Sequence, residues 1–441
     1  MKKLGKNKGS ATETSKKSDK VALKQPIADK AIDLIRAGNI EALMLMCADG
    51  STELKFINRF HSKSGKTALS VACEDGALDM VDVLLQAKAS VDIADQQGMT
   101  PFLYASLTGQ LDIINLLYSV NPDVAKKQNL KGDNAIILAT KNNHFPVVEL
   151  LHSYKVPLED RNAQDETALS VALKLQYFAI AEFLCAHGAD INAAGINGNT
   201  PLIRSAFDGR VETADFIIAH AGSLDLINLN GETAAIVAAR HNHRDILELL
   251  IKSGAQLSVQ DHSQRNVLMT ACMTGKYNLI DLLMDKSCLQ AQSNTPTNLS
   301  IDIDAKDIWG NTALIYVCCQ GDGKRAAEQY EAAEKLVRRY GAAIDSMDRV
   351  FNTALMHCCM KGHLELALLL LRLGASPHHR NIDGIAMRDL WVNEDDRRSF
   401  DDAVVGCSGH YMSVGVVEKP EWINHLNELR DARQATAAAV T

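Results

Sequence analysis

Apolar residues in this chain recur in short helical bursts separated by polar breaks. Leu78, Val81, Leu84 and Leu85 are spaced so that all four share one helix face. The bursts come in pairs, and the pairs repeat. Aligning on the Thr or Asn that opens each first burst gives Thr67, Thr100, Asn134, Thr167, Thr200, Thr233, Asn266, Thr312 and Thr353. Six of the eight successive spacings are 33 or 34 residues, and the other two are 46 and 41. So regular a period predicts a repeat architecture built from one supersecondary unit.

Each unit carries its own punctuation. The opening Thr or Asn is a good helix N-cap, because its side-chain oxygen satisfies a backbone N–H of the first turn. Small residues follow five and six positions later, as at Ala72-Cys73, Ala105-Ser106, Ser205-Ala206, Ala238-Ala239, Ala271-Cys272 and Cys358-Cys359. They let neighbouring helices approach closely. Nine positions after the cap stands a residue that tolerates the left-handed backbone ending a helix. It is Gly76, Gly109, Gly209, Gly275, Gly321 or Gly362, or Asn143 or Asn242, with Gln176 as the exception. A second helix and a Gly-Ala break follow, as at Gly188-Ala189, Gly254-Ala255 and Gly374-Ala375. The turn into the next unit has its Gly two before the cap, as at Gly98, Gly132, Gly198, Gly231 and Gly310.

Gly-x-Thr-Pro-Leu, a small pair, Gly, then Leu-Leu and Gly-Ala resembles the ankyrin repeat. Gly198-Asn199-Thr200-Pro201-Leu202 and Gly98-Met99-Thr100-Pro101-Phe102 match it most fully. The likeness covers roughly 62–381 and, with weaker end units, about 27–404. It implies an all-α repeat solenoid, an ankyrin-repeat array of helix-turn-helix units joined by β-hairpin loops. It also implies a concave face of hairpin tips and exposed first-helix positions that binds other proteins. The chain departs from the family pattern in places. The common His after Leu is replaced throughout, for example by Ile203 and Met356, and the turn Gly is lost at Asp165, Gln264 and Phe351. Softer stability is expected around Gln264.

The register names the residues of that face. Four after the cap stand Val71, Tyr104, Leu138, Val171, Arg204, Val237, Thr270, Tyr316 and His357. Seven after it stand Glu74, Leu107, Lys141, Lys174, Phe207, Arg240, Met273, Cys319 and Met360, and the tips include Met99, Ile196, Leu229, Trp309 and Phe351. Aromatic residues, Met and Arg are enriched where proteins meet. The expected partner-binding residues are therefore Tyr104, Leu107, Arg204, Phe207, Arg240, Trp309, Tyr316, Phe351 and Met360.

Composition narrows the function classes. The 441 residues are 46% hydrophobic but only 5% aromatic, which suits short helices packed through Ala, Leu, Ile and Val. The net charge of −8 argues against nucleic acid as a partner. Residues 1–24 stand apart, with eight Lys against Glu13 and Asp19, a net +6 that leaves −14 for the rest. They lack periodic apolar positions and read as a disordered basic tail. No signal-peptide core and no run of about 18 apolar residues is present. Ten Cys without a disulfide-like framework fit a reducing, cytoplasmic or nuclear location. The sequon Asn298-Leu299-Ser300 is then irrelevant.

Candidate chemistry fails on spacing. His357-Cys358-Cys359 with His363 invites a zinc or thiol-enzyme reading, but the two Cys fall on the small buried pair. Cys407-Ser408-Gly409-His410 supplies no base placed in space. Gly321-Asp322-Gly323-Lys324 lacks the first Gly of a phosphate loop, since Cys318 stands there, and Asp302-Ile303-Asp304 has Asp307 where a calcium loop needs Gly. No cofactor and no metal is expected.

The expected organisation is a basic tail at 1–24, a helical cap at 25–61, about nine repeats over 62–381, a degenerate capping repeat at 382–404, and a C-terminal segment at 405–441. Insertions fall near 288–300, a polar surface loop, and 321–341, a lengthened second helix. Pro420 opens a final amphipathic helix carrying Trp422, Ile423, Leu426 and Leu429. The function expected is that of a monomeric, non-enzymatic scaffold or adaptor for a protein or peptide. Two alternatives stay open: an effector or regulatory subunit whose activity lies in the C-terminal segment, and anionic-surface binding by the basic tail.

Overall fold

The computed structural model describes residues 25–48, 57–62, 64–285, 301–320, 325–391 and 393–408. The basic tail, the 288–300 insertion, Gly321 to Lys324, the Cys407 side chain with Gly409 and His410, and the segment from Pro420 lie outside the described residues. The chain divides into two compact units, Met1–Ala271 with Asp281–Ile301, and Cys272–Ile280 with Asp302–Thr441.

The first unit begins with α1 (Gln25–Arg36) and α2 (Ile40–Ala48), which turn at Gly38. Paired helices follow: α3 (Ala68–Asp75) with α4 (Leu78–Gln86), α5 (Pro101–Thr108) with α6 (Leu111–Val120), and α7 (Ala135–Lys141) with α8 (Phe145–Ser153). Then come α9 (Ala168–Leu175) with α10 (Phe178–Ala186), α11 (Pro201–Asp208) with α12 (Val211–Ala219), and α13 (Ala234–His241) with α14 (Arg244–Lys252).

Local chemistry explains where these helices start and stop. Thr67 Oγ1 accepts from the Ser70 amide at 3.2 Å, Thr100 from Leu103 at 3.3 Å, and Asn134 from Ile137 at 3.0 Å. Every one of the nine aligned caps makes this bond to the residue three ahead. Losing one such cap costs about 1 kcal/mol. At the other end Gly76, Gly109 and Gly209 take φ of 74°, 83° and 75°. Gln176 corrects the expectation that it breaks the rule, because it takes the same left-handed turn at φ 60°. Its amide still reaches back to the Ala172 carbonyl, so the helix ends as it does in the other units.

The small pairs sit at the packing seam. Ala72, Cys73, Ala105, Ala139, Ala172, Ala206, Ala238 and Ala239 are wholly buried between successive first helices. The second helices bury one stripe each, as with Val81 and Leu84, Ile114 and Leu117, and Ile180 and Leu184.

Hairpins join the units, but their arms pair only as isolated bridges, Gln128 with Asn134, Met347 with Thr353 and Arg380 with Ala386. Among the described residues none forms a named strand. The tips are stitched to one another instead. The Leu130 amide donates to Gln97 O at 2.9 Å, Ala163 to Lys131 at 2.8 Å, Leu229 to Asn197 at 2.9 Å and His262 to Asn230 at 3.0 Å. Asp165 and Gln264, where the turn Gly is lost, still take φ of 56° and 60°. A non-Gly residue there carries local strain.

The second unit repeats the design with Ala313–Cys319 and, after it, Ala354–Lys361 with Leu364–Arg372. The helix Ala326–Glu334 runs on into a π-turn over Lys335–Arg339. Here too the tips are stitched, Arg349 to Trp309 O at 2.9 Å and Ile382 to Val350 O at 3.0 Å. Cys272, Cys318, Cys358 and Cys359 lie at zero exposure on the small-residue positions. One helix, Glu394–Ser408, crosses the boundary expected between 404 and 405 and buries Phe400.

Candidate interaction surface

The hairpin tips and the first helices form one face within each unit, and an Asx residue five before the cap organises it. The side chain of Asp95 accepts from the amides of Gln97 at 2.8 Å and Met99 at 3.0 Å, bracketing the turn. Asn129, Asn162, Asn228 and Asp261 do the same in their hairpins. In the second unit Asp307, Asp348 and Asn381 repeat it.

These brackets decide what the fourth position after the cap can do. The Tyr104 hydroxyl donates to Asp95 Oδ2 at 2.6 Å, and the Lys66 ammonium lies 4.4 Å from its ring centroid. Tyr104 is only 4% exposed, which corrects its expected role as a free contact. Burial, with Asp95 beside it, pushes its phenol well above the ordinary range, so it stays a neutral donor. Val71, Leu138, Val171, Val237 and Thr270 are also buried at this position, contrary to expectation, because it faces the core behind the hairpin. Arg204 is the exposed one. Tyr316 and His357 are half-buried and bond Asp307 and Asp348, His357 Nε2 at 2.9 Å. Burial holds the His357 imidazole below its ordinary value, against the opposing pull of the Asp348 carboxylate.

The seventh position after the cap is the outward row, but in several units it is tied down. Lys141 pairs with Asp133, Lys174 with Glu166 at 2.7 Å, Arg240 with Glu232 and Lys66 with Glu74. In each pair the partners stand eight residues apart, one just before the cap and one seven after it. Burial of Glu166 opposes its charge, yet hydrogen bonds from Lys174 and Asn162 outweigh burial and lower its pKa. Arg240 is therefore an internal partner of a buried carboxylate rather than an unengaged contact. Leu107 and Met360 on the same row are half-buried, and Phe207 is 54% exposed, with His241 4.5 Å from its ring.

At the tips Trp309 and Phe351 stand out at 50% and 49% exposure, and Val350 and Ile382, which the register did not nominate, lie at 46% and 59%. Ile196 and Leu229 are similarly open at 53% and 71%, whereas Met99 is buried. The second unit thus brings Trp309, Val350, Phe351 and Ile382 onto tips joined through backbone bonds. The hidden positions had a signal in the chain, the opposite charges eight apart and the Asx five before seven of the nine caps, which the helix-based register passed over.

Among the described residues no group of His, Cys, Asp and Glu has the arrangement of a metal site. No described helix is long and apolar enough to cross a membrane.

Comparison with known proteins agrees with this architecture. The family model for ankyrin repeats (3 copies) matches residues 31–128, 118–195, 193–261 and 268–381. The ankyrin repeat and KH domain-containing protein mask of Drosophila melanogaster is 31% identical over 99 residues, 22% of this chain and 2% of that protein. Protein fem-1 homolog A of Homo sapiens is 41% identical over 66 residues, 15% of this chain and 10% of that protein. The chain therefore spans only a small part of these curated relatives. The crystal structure of the ankyrin repeat domain of Bcl-3, described as a unique member of the IkappaB protein family, superposes with a TM-score of 0.44. It is 24% identical and covers 47% of this chain and 95% of that domain. With the family model matched over far more than half its length, the chain belongs to the ankyrin-repeat family.

Proposed function

We propose that this chain is a non-enzymatic scaffold or adaptor that holds a protein or peptide on its hairpin and first-helix face. The observation that carries the reading is the row of exposed apolar side chains on stitched tips, Trp309, Val350, Phe351 and Ile382. Exposed aromatic residues on a preorganised backbone are what interface anchors look like. Met360 extends the proposed contact surface of the second unit, with Tyr316 shaping it from behind through Asp307; in the first unit Leu107, Arg204 and Phe207 are proposed as contacts, with Tyr104 and Arg240 behind them on Asp95 and Glu232. Residues 25–61 and 382–404 are proposed as end caps of the array, and the chain as a monomer in the cytosol or nucleus.

Affinity capture from native lysate tests the reading, comparing the wild type with a W309A/F351A variant shown by circular dichroism to be folded. A partner retained by the first and lost by the second supports it. A partner held equally by both removes the tips of the second unit from the site. An absence of any partner overturns the scaffold reading.

A further inference from the structure

The tip-to-tip stitching of the first unit lacks a rung at two steps, Ser64 to Gln96 and Gln164 to Ile196, and the second borders a cavity. Rungs join Gln97 to Leu130, Lys131 to Ala163, Asn197 to Leu229 and Asn230 to His262, but no backbone bond joins Gln164 to Ile196. At that step Gly195 takes the place of the bracketing Asx, and a Cβ added there would crowd the Asp165 carbonyl at 3.2 Å. A cavity of about 290 Å³ opens there, between α9 and α11, on the hairpin and first-helix face. Its volume suits one or two side chains rather than a large cofactor.

The polar lining is unequal in what it has left to offer. Its carboxylates are all engaged: Asp165 by Arg161 at 3.0 Å, Glu166 by Lys174 at 2.7 Å, and Asp208 by Arg204 Nε at 3.4 Å and Arg210 Nε at 3.8 Å. The hydroxyls of Ser170 and Ser205 already donate to backbone carbonyls. The donors are not exhausted. Two guanidinium groups share the single Asp208 carboxylate, and no acceptor among the described residues bonds the Nη groups of Arg204 or Arg210. With Arg161, which lies outside the lining, four basic groups meet three carboxylates, and the fork-like donors of Arg204 and Arg210 match a further carboxylate. Beside them lie exposed apolar groups, Ile196 at the mouth, Phe207 one turn along α11 from Arg204, and Leu229 on the adjoining tip.

We propose that this cleft anchors one acidic side chain of a peptide partner. Arg204 and Arg210 take its carboxylate, and Ile196, Phe207 and Leu229 take apolar neighbours in the same peptide. The assignment rests on the protein-binding reading above and names the chemistry of what is bound.

The test pans a display library of random dodecapeptides on the full chain and on R204Q/R210Q, with R204Q alone as the second variant should the double one fail to fold. Synthetic copies of the retained peptides are then titrated by fluorescence anisotropy. The expected result is enrichment of Glu or Asp at one position flanked by apolar residues. R204Q/R210Q then weakens binding by about 30-fold or more, and changing that Glu to Gln in the peptide weakens it to a similar extent without adding to the loss. Retained peptides with no acidic preference, or indifferent to R204Q/R210Q, overturn the cleft assignment while the broader binding function stands. A phosphoserine replacement that binds tenfold better than Glu overturns the carboxylate in favour of a phosphate. If the full chain retains no peptide, both readings fall.

Discussion

The stitching of hairpin tips makes a quantitative claim about Gly98. Its φ is +75°, and a Cβ added there would lie 2.7 Å from the Leu130 amide nitrogen, inside contact distance of backbone that cannot swing away. Gly188 offers the matched control, since its φ is +87° and a Cβ would meet nothing within 4 Å. Alanine at Gly188 meets only the left-handed penalty of about 1–2 kcal/mol, partly offset by the stiffer unfolded chain, for a net of roughly 1 kcal/mol. Alanine at Gly98 meets the same penalty and must also push the next hairpin aside. That step breaks the Leu130-to-Gln97 bond, so its total is roughly 2–3 kcal/mol. Urea unfolding followed by circular dichroism measures both. Because repeat arrays can unfold in parts, exchange of the Leu130 amide in native conditions is the decisive local readout. Gly98→Ala is expected to speed that exchange at least about tenfold and Gly188→Ala to leave it unchanged. Equal stability losses together with unaltered Leu130 exchange would refute the idea that the tips hold one another in place.

Three other outcomes are expected. Arg240→Ala leaves the Glu232 carboxylate, 5% exposed, with the Asn228 and Asn230 amides but no cation, so it is expected to cost about 1.5–3 kcal/mol in urea unfolding, more than Glu232→Gln; the opposite order would sink the pairing argument. Because burial depresses the His357 pKa, the unfolded chain takes up a proton first as pH falls. That contribution to stability is whole above about pH 6.5 and is lost progressively below it. His357→Gln should flatten this part of the pH profile, and an unchanged slope would show that the group is not responsible. Finally, burial pushes up the thiols of half-buried Cys47, Cys185 and Cys319 as well as those of buried Cys73, Cys272, Cys358 and Cys359, so access decides the order: among the described cysteines Ellman's reagent should label the half-buried three ahead of the buried four. Strong reductants should leave the melting curve in place, and rapid native labelling of Cys358 would contradict the burial.

Much of this fold could be read along the chain because its determinants are local. A Thr that caps its own helix, as Thr67 does through the Ser70 amide, needs no distant partner to be recognised. The same holds for the small pairs and for most left-handed stops. Gln176 escaped because the capping bonds of its amide close the same left-handed turn on a residue type that does not favour it. The surface was harder to read. Whether a residue four after the cap is open depends on the hairpin folded over it, so Tyr104 and Arg204 share a register position and differ in exposure. The cleft beside Gly195 was invisible for a related reason. It is an absence, a missing rung between two units, and periodicity reports only what recurs.

The ion pairs eight residues apart have a consequence for how such an array changes over time. Lys141 with Asp133, Lys174 with Glu166 and Arg240 with Glu232 each close within a single period of the chain. A duplication or deletion that copies or removes a whole period carries both charges together, leaving no orphaned carboxylate behind. The rungs between tips are backbone bonds that recur once per period, so a whole-period change carries them along too. Array length can therefore drift in whole periods at little electrostatic cost, whereas a recombination point falling between a cap and the residue seven after it would separate a buried acid from its base.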